Sequence, residues 1–357
     1  MLPVSIITGF LGSGKTTVLN HLLQHASLKN SLVIINEFGE VGIDHLLVST
    51  PAENVRLLSN GCLCCEVKGD LVDTLTDVSR KRASGEIPAF DHILIETTGL
   101  ADPVPIVQTI VTDTDLSRLY RLDTVVGVVD VVHALRQLAT QDEVRKQIAV
   151  SDVLLLSKTD LAVPDARLEV EAAVKKINPG AELIPVLHGE IDPELLFGRG
   201  AGDGRTREAD LERWLGLDTP KTPMAGGGNI HTLHAGDIRT FTLIHDGLVS
   251  IAGLATWLSM LASFKGPQLL RVKGIVNVAG DPYIIHAVQT VIHEPVPLER
   301  WPTSDERTRI VFIVRGLERN ALEKTFAAFA MPDSLGDALQ IDPAAYARFL
   351  EAAKHFL

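Results

Sequence analysis

Residues 9–17, GFLGSGKTT, fit the pattern G-x-x-x-x-G-K-[ST] and follow directly on the apolar run Val4, Ser5, Ile6, Ile7. No other stretch restricts the fold as much. A strand that ends in a glycine-rich turn and then opens a helix aims several backbone N–H groups, and the positive end of a helix dipole, at one point where a triphosphate can sit. Gly9, Gly12 and Gly14 let the backbone approach the phosphate oxygens, and Ser13 and Thr17 complete the nucleotide-binding set. Lys15 reaches toward the β and γ groups, and the Thr16 hydroxyl can hold Mg²⁺. The competing reading is a ligand-free glycine turn. The strand pattern before the motif and the helical pattern Val18, Leu19, Leu22, Leu23 after it favour the phosphate loop.

The chain is 357 residues long, enough for two domains. With 46% hydrophobic and 22% charged residues it reads as a soluble globular protein. No apolar run approaches ~20 residues, and no basic segment with a cleavage site follows Met1, so no membrane partner and a cytoplasmic location are expected. Asp and Glu number 45 against 33 Lys and Arg, which argues against nucleic acid as a partner. The cluster Arg80, Lys81, Arg82 precedes Gly85 and reads as the last turn of a helix, favoured there by the helix dipole.

Residues 31–35, short, apolar and β-branched, read as the second strand of a parallel sheet. Residues 36–44, NEFGEVGID, follow it. They stand where a phosphate-loop GTPase carries its first switch, though an ordinary acidic turn would look the same. Cys62, Cys64 and Cys65 are every cysteine in the protein. Core thiols would be scattered; three within four positions suggest a soft-metal site, with redox chemistry and plain packing as alternatives. In an extended segment Cys62 and Cys64 project to one side and Cys65 to the other, which suits Zn²⁺ or Co²⁺ with one or two further ligands.

Residues 91–99, DHILIETTG, read as a buried strand with an acid at its carboxyl end. Glu96 is placed to orient water on Mg²⁺, and the N–H of Gly99 to contact a γ-phosphate. Further strands are expected at 124–130, 153–156 and 182–186. After the second of these, residues 157–160, SKTD, resemble the guanine-reading N-K-x-D. Asp160 can accept the N1–H and 2-amino protons of guanine, and the stem of Lys158 can cover the base face. Ser157 replaces the usual Asn, which removes a loop-tying amide and is expected to loosen the base pocket. Residues 187–189 stand where a last base-contacting loop would fall.

Residues 198–229, rich in Gly and Pro, read as a linker between a phosphate-loop domain at 1–197 and a second domain at 230–330. Strands are expected at 237–244, 269–278, 283–291 and 309–314, with helices at 250–264 and 320–329. Residues 331–357 form a helical tail in this reading, its helix at 343–356. His231 and His234 read as solvated linker histidines, with metal ligation as the alternative. The expected fold class is α/β: a phosphate-loop NTPase with a mainly parallel sheet flanked by helices, plus a smaller C-terminal α+β domain.

Taken in order, GFLGSGKTT, NEFGEVGID, GCLCC, IETTG and SKTDL resemble the CobW-like family of metallochaperone GTPases, in the SIMIBI class of phosphate-loop NTPases. The similarity is strong over the first ~200 residues and extends to LLRVKG and the strands after it. It implies GTP hydrolysis with Mg²⁺ held through Thr16 and Glu96, and Lys15 and Glu96 as catalytic groups. It further implies Zn²⁺ or Co²⁺ at Cys62, Cys64 and Cys65, with Glu40 as an oxygen ligand. The metal would go to a client metalloprotein, its affinity coupled to the GTP or GDP state. A nucleotide-dependent homodimer is compatible with this scheme. A constitutive nucleotide- and zinc-binding module, or a small-molecule kinase, would use the same loop. No glutamine follows Gly99 and no arginine lies in the switch-like segments, so unassisted turnover is expected near ~10⁻⁴ to 10⁻² s⁻¹.

Overall fold

The computed structural model describes residues 1–36, 55–58, 66–163, 165–198 and 238–330. The chain divides into two compact units, Met1–Asp203 and Gly204–Leu357. The switch-like loop from Glu37 onward, Glu40, the three cysteines, His231 and His234, nearly all of the linker and the C-terminal tail lie outside the described residues.

In the first unit the strands are β1 (Leu2–Gly9), β2 (Ser31–Asn36), β3 (Val55–Leu58), β4 (His92–Thr97), β5 (Tyr120–Asp130), β6 (Val153–Ser157) and β7 (Glu182–Pro185). They form one sheet in the order β3-β2-β4-β1-β5-β6-β7, and every pairing in it is parallel. Parallel strands are joined by crossovers that lay helices on both faces, so their apolar runs are continuous rather than alternating. The buried sets Ile93–Ile95 and Leu154–Leu156 show this. Within such a run the pleat still sorts side chains. Val153 and Leu155 join Val18, Leu19 and Leu22 of α1 (Lys15–Gln24) on one face. Leu154 and Leu156 pack with Ile148 of α6 (Asp142–Val150) and Val170 and Val174 of α7 (Ala166–Ile177) on the other.

Of the other helices, α2 (Glu66–Ser84) ends in Lys81 and Arg82, as the sequence predicts, and Gly85 beyond it takes a positive φ of 74°. Next come α3 (Val104–Thr112), α4 (Leu116–Leu119) and α5 (Ala134–Thr140). Two strands depart from the sequence reading: β3 is an unforeseen edge strand, and β5 begins at Tyr120 rather than at 124.

The second unit is an antiparallel sheet with helices α8 (Ile251–Lys265) and α9 (Arg319–Phe329). Its main path runs β11-β10-β9-β13-β8, from β8 (Ile238–His245), β9 (Leu269–Val278), β10 (Asp281–Val288), β11 (Val291–Ile292) and β13 (Thr308–Arg315). A two-residue strand, β12 (Val296–Pro297), pairs with β10. Trp257 anchors the core edge-on to Phe326 and Phe312, with its indole N–H donated to Thr325. The single strand expected at 283–291 is instead a hairpin. Val288 pairs with Val291 across Gln289 and Thr290, and Gln289 takes a φ of 51°, a turn conformation its side chain does not advertise.

Candidate functional site

Strand order reverses about β1, which lies between β4 and β5; in open α/β sheets the crevice at the carboxyl ends of the strands at such a point receives ligands. Here that crevice is a cavity of about 590 Å³. The phosphate loop lines it with Gly12, Gly14, Lys15, Thr16 and Thr17; β4 and the turn after it add Glu96, Thr98 and Gly99, and Lys158 comes from beyond β6.

The backbone of the loop is built for close approach. Gly12 and Gly14 have φ of 70° and 97°, values that a side chain would strain, and Gly14 is the residue from which α1 starts. A Cβ on Gly9 would come 2.4 Å from the Val128 carbonyl oxygen. Lys15 is buried, and its Nζ donates to the carbonyls of Gly9 at 3.0 Å and Phe10 at 3.2 Å, folding the cation back over the loop.

At the helix start the Thr16 hydroxyl donates to Glu96 Oε1 at 2.8 Å, joining the phosphate loop to the end of β4. Two hard oxygen donors at hydrogen-bond distance beside a phosphate-binding turn fit Mg²⁺, which takes few protein ligands and keeps its waters and phosphate oxygens. Beneath them Thr97 donates to Thr8 at 3.0 Å, locking β4 to β1. Gly99 then lies directly on the phosphate loop: a Cβ there would meet the Leu11 nitrogen at 2.5 Å, so only glycine allows the contact.

Beyond β6 Lys158 has a φ of 56°, and its Nζ pairs at 2.8 Å with Asp130, a buried acid at the end of β5. Asp130 also accepts the Val132 N–H at 2.9 Å and faces His133 Nδ1 at 3.2 Å. Ser157 does not loosen this region as the sequence suggests. Its hydroxyl lies 2.6 Å from the Ser13 carbonyl, so it ties β6 to the phosphate loop in place of the missing amide. Asp160 is exposed and is not among the residues lining the cavity. The loop 187–189 is brought against α1: a Cβ on Gly189 would come 2.8 Å from the Thr17 carbonyl carbon. His188 there lines a second cavity, of about 360 Å³, with Thr16, Thr17, Asn20, His21 and Gln24.

Sequence reasoning missed Asp130 and Gln147. Asp130 carries the same signal as Glu96, an acid closing a buried strand. Gln147 sits with Val144 and Ile148 on the apolar stripe of α6, where a polar residue is out of place. Among the described residues no group of three or more His, Cys, Asp or Glu comes together to hold a metal.

Two family descriptions match the chain: "CobW/HypB/UreG, nucleotide-binding domain" over residues 3–185, and "Cobalamin synthesis protein cobW C-terminal domain" over residues 238–330. The Escherichia coli zinc chaperone YjiA is 33% identical over 333 residues, covering 92% of this chain and 98% of the relative. Zinc-regulated GTPase metalloprotein activator 1 of Schizosaccharomyces pombe is 31% identical over 348 residues, covering 89% of this chain and 83% of the relative. The crystal structure of Zn(II)-bound YjiA GTPase from E. coli superposes with a TM-score of 0.66 at 26% identity, covering 92% of this chain and 99% of that one.

Proposed function

This chain belongs to the CobW/HypB/UreG family of nucleotide-binding proteins, and from that premise we propose that it is a GTP-hydrolysing zinc chaperone. The observation that carries the reading is the Thr16 to Glu96 bond at the mouth of a complete phosphate loop, with Lys158 facing the same cavity. The backbone N–H groups of residues 12–17 bind the phosphates. Lys15, released from the Gly9 and Phe10 carbonyls, turns onto the β and γ groups. Thr16 and Glu96 are the residues that hold Mg²⁺, which when bound supplies charge neutralisation at the phosphates. Gly99 presents its N–H to the γ-phosphate, Lys158 covers the base from its anchor on Asp130, and Asp160 reads guanine.

Cys62, Cys64 and Cys65, with Glu40, hold the Zn²⁺ cargo in this reading, and Co²⁺ would fit the same thiolates. They fall between β2 and α2, the stretch that also carries the switch-like NEFGE, so ordering one by γ-phosphate repositions the other. The cytoplasm is the setting, and a client metalloprotein the recipient. Hydrolysis is slow without a partner, for want of a water-orienting glutamine after Gly99 and of an arginine in the switch-like segments, and slowness suits a carrier that holds its metal until the recipient, or a second copy of the chain, completes the site.

Zn²⁺ affinity measured with a non-hydrolysable GTP analogue and with GDP tests the proposal. Linkage requires tighter zinc with the analogue, by about 5- to 150-fold for an ordinary allosteric coupling. Equal affinities would leave a constitutive nucleotide- and zinc-binding module. Cys62→Ala and Cys64→Ala proteins that bind Zn²⁺ as tightly as wild type would move the site to other residues, with His231 and His234 next.

A further inference from the structure

The turn that follows β4 is held from below by side chains of α6. Gln147 is 2% exposed, and its Nε2 donates to the Gly99 carbonyl at 3.2 Å and to the Ala101 carbonyl at 3.0 Å. The next residue toward the amino end, Lys146, pairs at 3.3 Å with Asp102 Oδ2, while Asp102 Oδ1 accepts the N–H of Val104, the first residue of α3, at 3.0 Å. One turn of helix thus grips Gly99, Ala101 and Asp102 together.

The platform is itself fixed. Asn178 donates from its amide to the carbonyls of Ile148, Ala149 and Ser151 at 2.8, 3.3 and 2.9 Å, closing the carboxyl end of α6. Arg145 ties the helix to the Leu138 carbonyl of α5 and pairs within the first turn of α6 with Asp142. Gln147 also shares a small cleft with Gly9 and Phe10, under the phosphate loop.

We propose that Gln147 is a positioning residue that sets the γ-phosphate-facing turn at Gly99, so that the preference for GTP over GDP depends on it. In a planar trans peptide the carbonyl of one residue and the N–H of the next point in opposite directions. A Gly99 carbonyl held down on Gln147 therefore directs the Leu100 N–H away from α6, and Gly99 and Leu100 both line the cavity. A group that orients donors before the ligand arrives contributes only where the ligand has the matching charge, here the γ-phosphate. GDP, which lacks that group, does not use the turn. This inference rests on the GTPase reading above and adds to it the residue on which nucleotide-state discrimination depends.

The experiment is equilibrium binding of GDP and of a non-hydrolysable GTP analogue to the full chain and to Gln147→Ala and Lys146→Ala. Gln147→Ala should lose about tenfold in the ratio of analogue to GDP affinity, with GDP affinity held within about twofold, and Lys146→Ala about threefold. A folded Gln147→Ala protein with an unchanged ratio, or with both nucleotides weakened equally, overturns the proposal, since equal loss is what a merely structural residue produces. Should Gln147→Ala not fold, the partly exposed Lys146→Ala decides, and an unchanged ratio there overturns it. A wild type that binds neither nucleotide overturns the GTPase reading and this inference with it. A wild type that binds both, beside variants that keep its ratio, overturns this inference alone.

Discussion

The two ends of the parallel sheet carry polar groups on the same three strands and put them to opposite uses. At the carboxyl ends of β1, β4 and β5, Glu96 and the lysines Lys15 and Lys158 line an open cavity, and the buried acid Asp130 holds Lys158 from behind. Toward the amino ends Ser5, His92 and Asp123 meet in the interior, with the Ser5 hydroxyl 3.0 Å from His92 Nε2 and 3.2 Å from Asp123 Oδ2. Phe197 stacks edge-on to His92, and the Gly198 N–H donates to Asp123 at 2.9 Å, which closes the cluster. A serine, a histidine and an aspartate together look like hydrolytic machinery, but here the serine bridges the other two and is fully buried. In a nucleophilic triad the histidine stands between serine and acid, and substrate can reach the serine. Composition alone does not separate a site from a structural clip; access and the order of hydrogen bonds do.

The comparison breaks first at the open end. Thr16→Ala should weaken Mg²⁺-dependent nucleotide binding by roughly 100-fold while leaving the melting temperature close to wild type, because the lost group serves the ligand. Titration with and without Mg²⁺ checks it. At the closed end the outcome should invert: Asp123→Ala leaves Ser5 and the Gly198 N–H without their acceptor and should cost about 2 to 4 kcal/mol of stability. Nucleotide affinity measured below the melting range should stay within about twofold. A smaller effect is expected from Asp130→Asn, which keeps the shape but weakens the Lys158 pair. Guanine nucleotide affinity should fall about five- to tenfold, and the preference over adenine with it. Unchanged discrimination would mean that Lys158 does not need its anchor.

The smallest effect concerns pH. Burial holds the pKa of His92 below its usual 6.5, against the opposing pull of Asp123 and Asp91. Between the lowered folded value and 6.5 the unfolded chain binds more protons, so stability rises with pH across that window. The contribution is complete above about pH 6.5 and is lost as the pH falls toward the folded value. His245 and His286 of the second unit are lowered by burial in the same direction, so the informative quantity is the difference between wild type and His92→Phe. If melting curves of the two run parallel from pH 7.5 to 5, His92 is not the group that titrates.

What the sequence revealed, and what it withheld, divides along physical lines. Runs such as 93–95 and 154–156 announce buried strands by composition, and the phosphate loop announces itself because its chemistry is confined to nine consecutive residues. Ser157 shows the limit. Substitution by residue type suggested a lost tie, yet the hydroxyl reaches Ser13, 144 positions away in sequence, because the sheet brings β6 beside the loop. Gln147 and Asp130 act on partners 48 and 28 residues distant, and no local period reports such pairs. The hairpin at Gln289 was hidden for a different reason: nothing in Gln-Thr signals a positive φ, whereas Asn-Gly would have.

Placing β1 at the centre of the sheet has a consequence for synthesis. Both of its neighbours come late: His92 on β4 lies 87 residues after its partner Ser5, and Asp123 on β5 lies 118 residues after it. At about 5 to 20 residues per second, a ribosome leaves β1 without either neighbour for roughly 4 to 17 seconds, and without the second for longer. Throughout that interval Val4, Ile6 and Ile7, which have no exposure in the finished fold, stand as an unpaired apolar strand. The strand that leads into the phosphate loop is therefore, on the nascent chain, exposed to wrong pairing well before either of its proper neighbours exists.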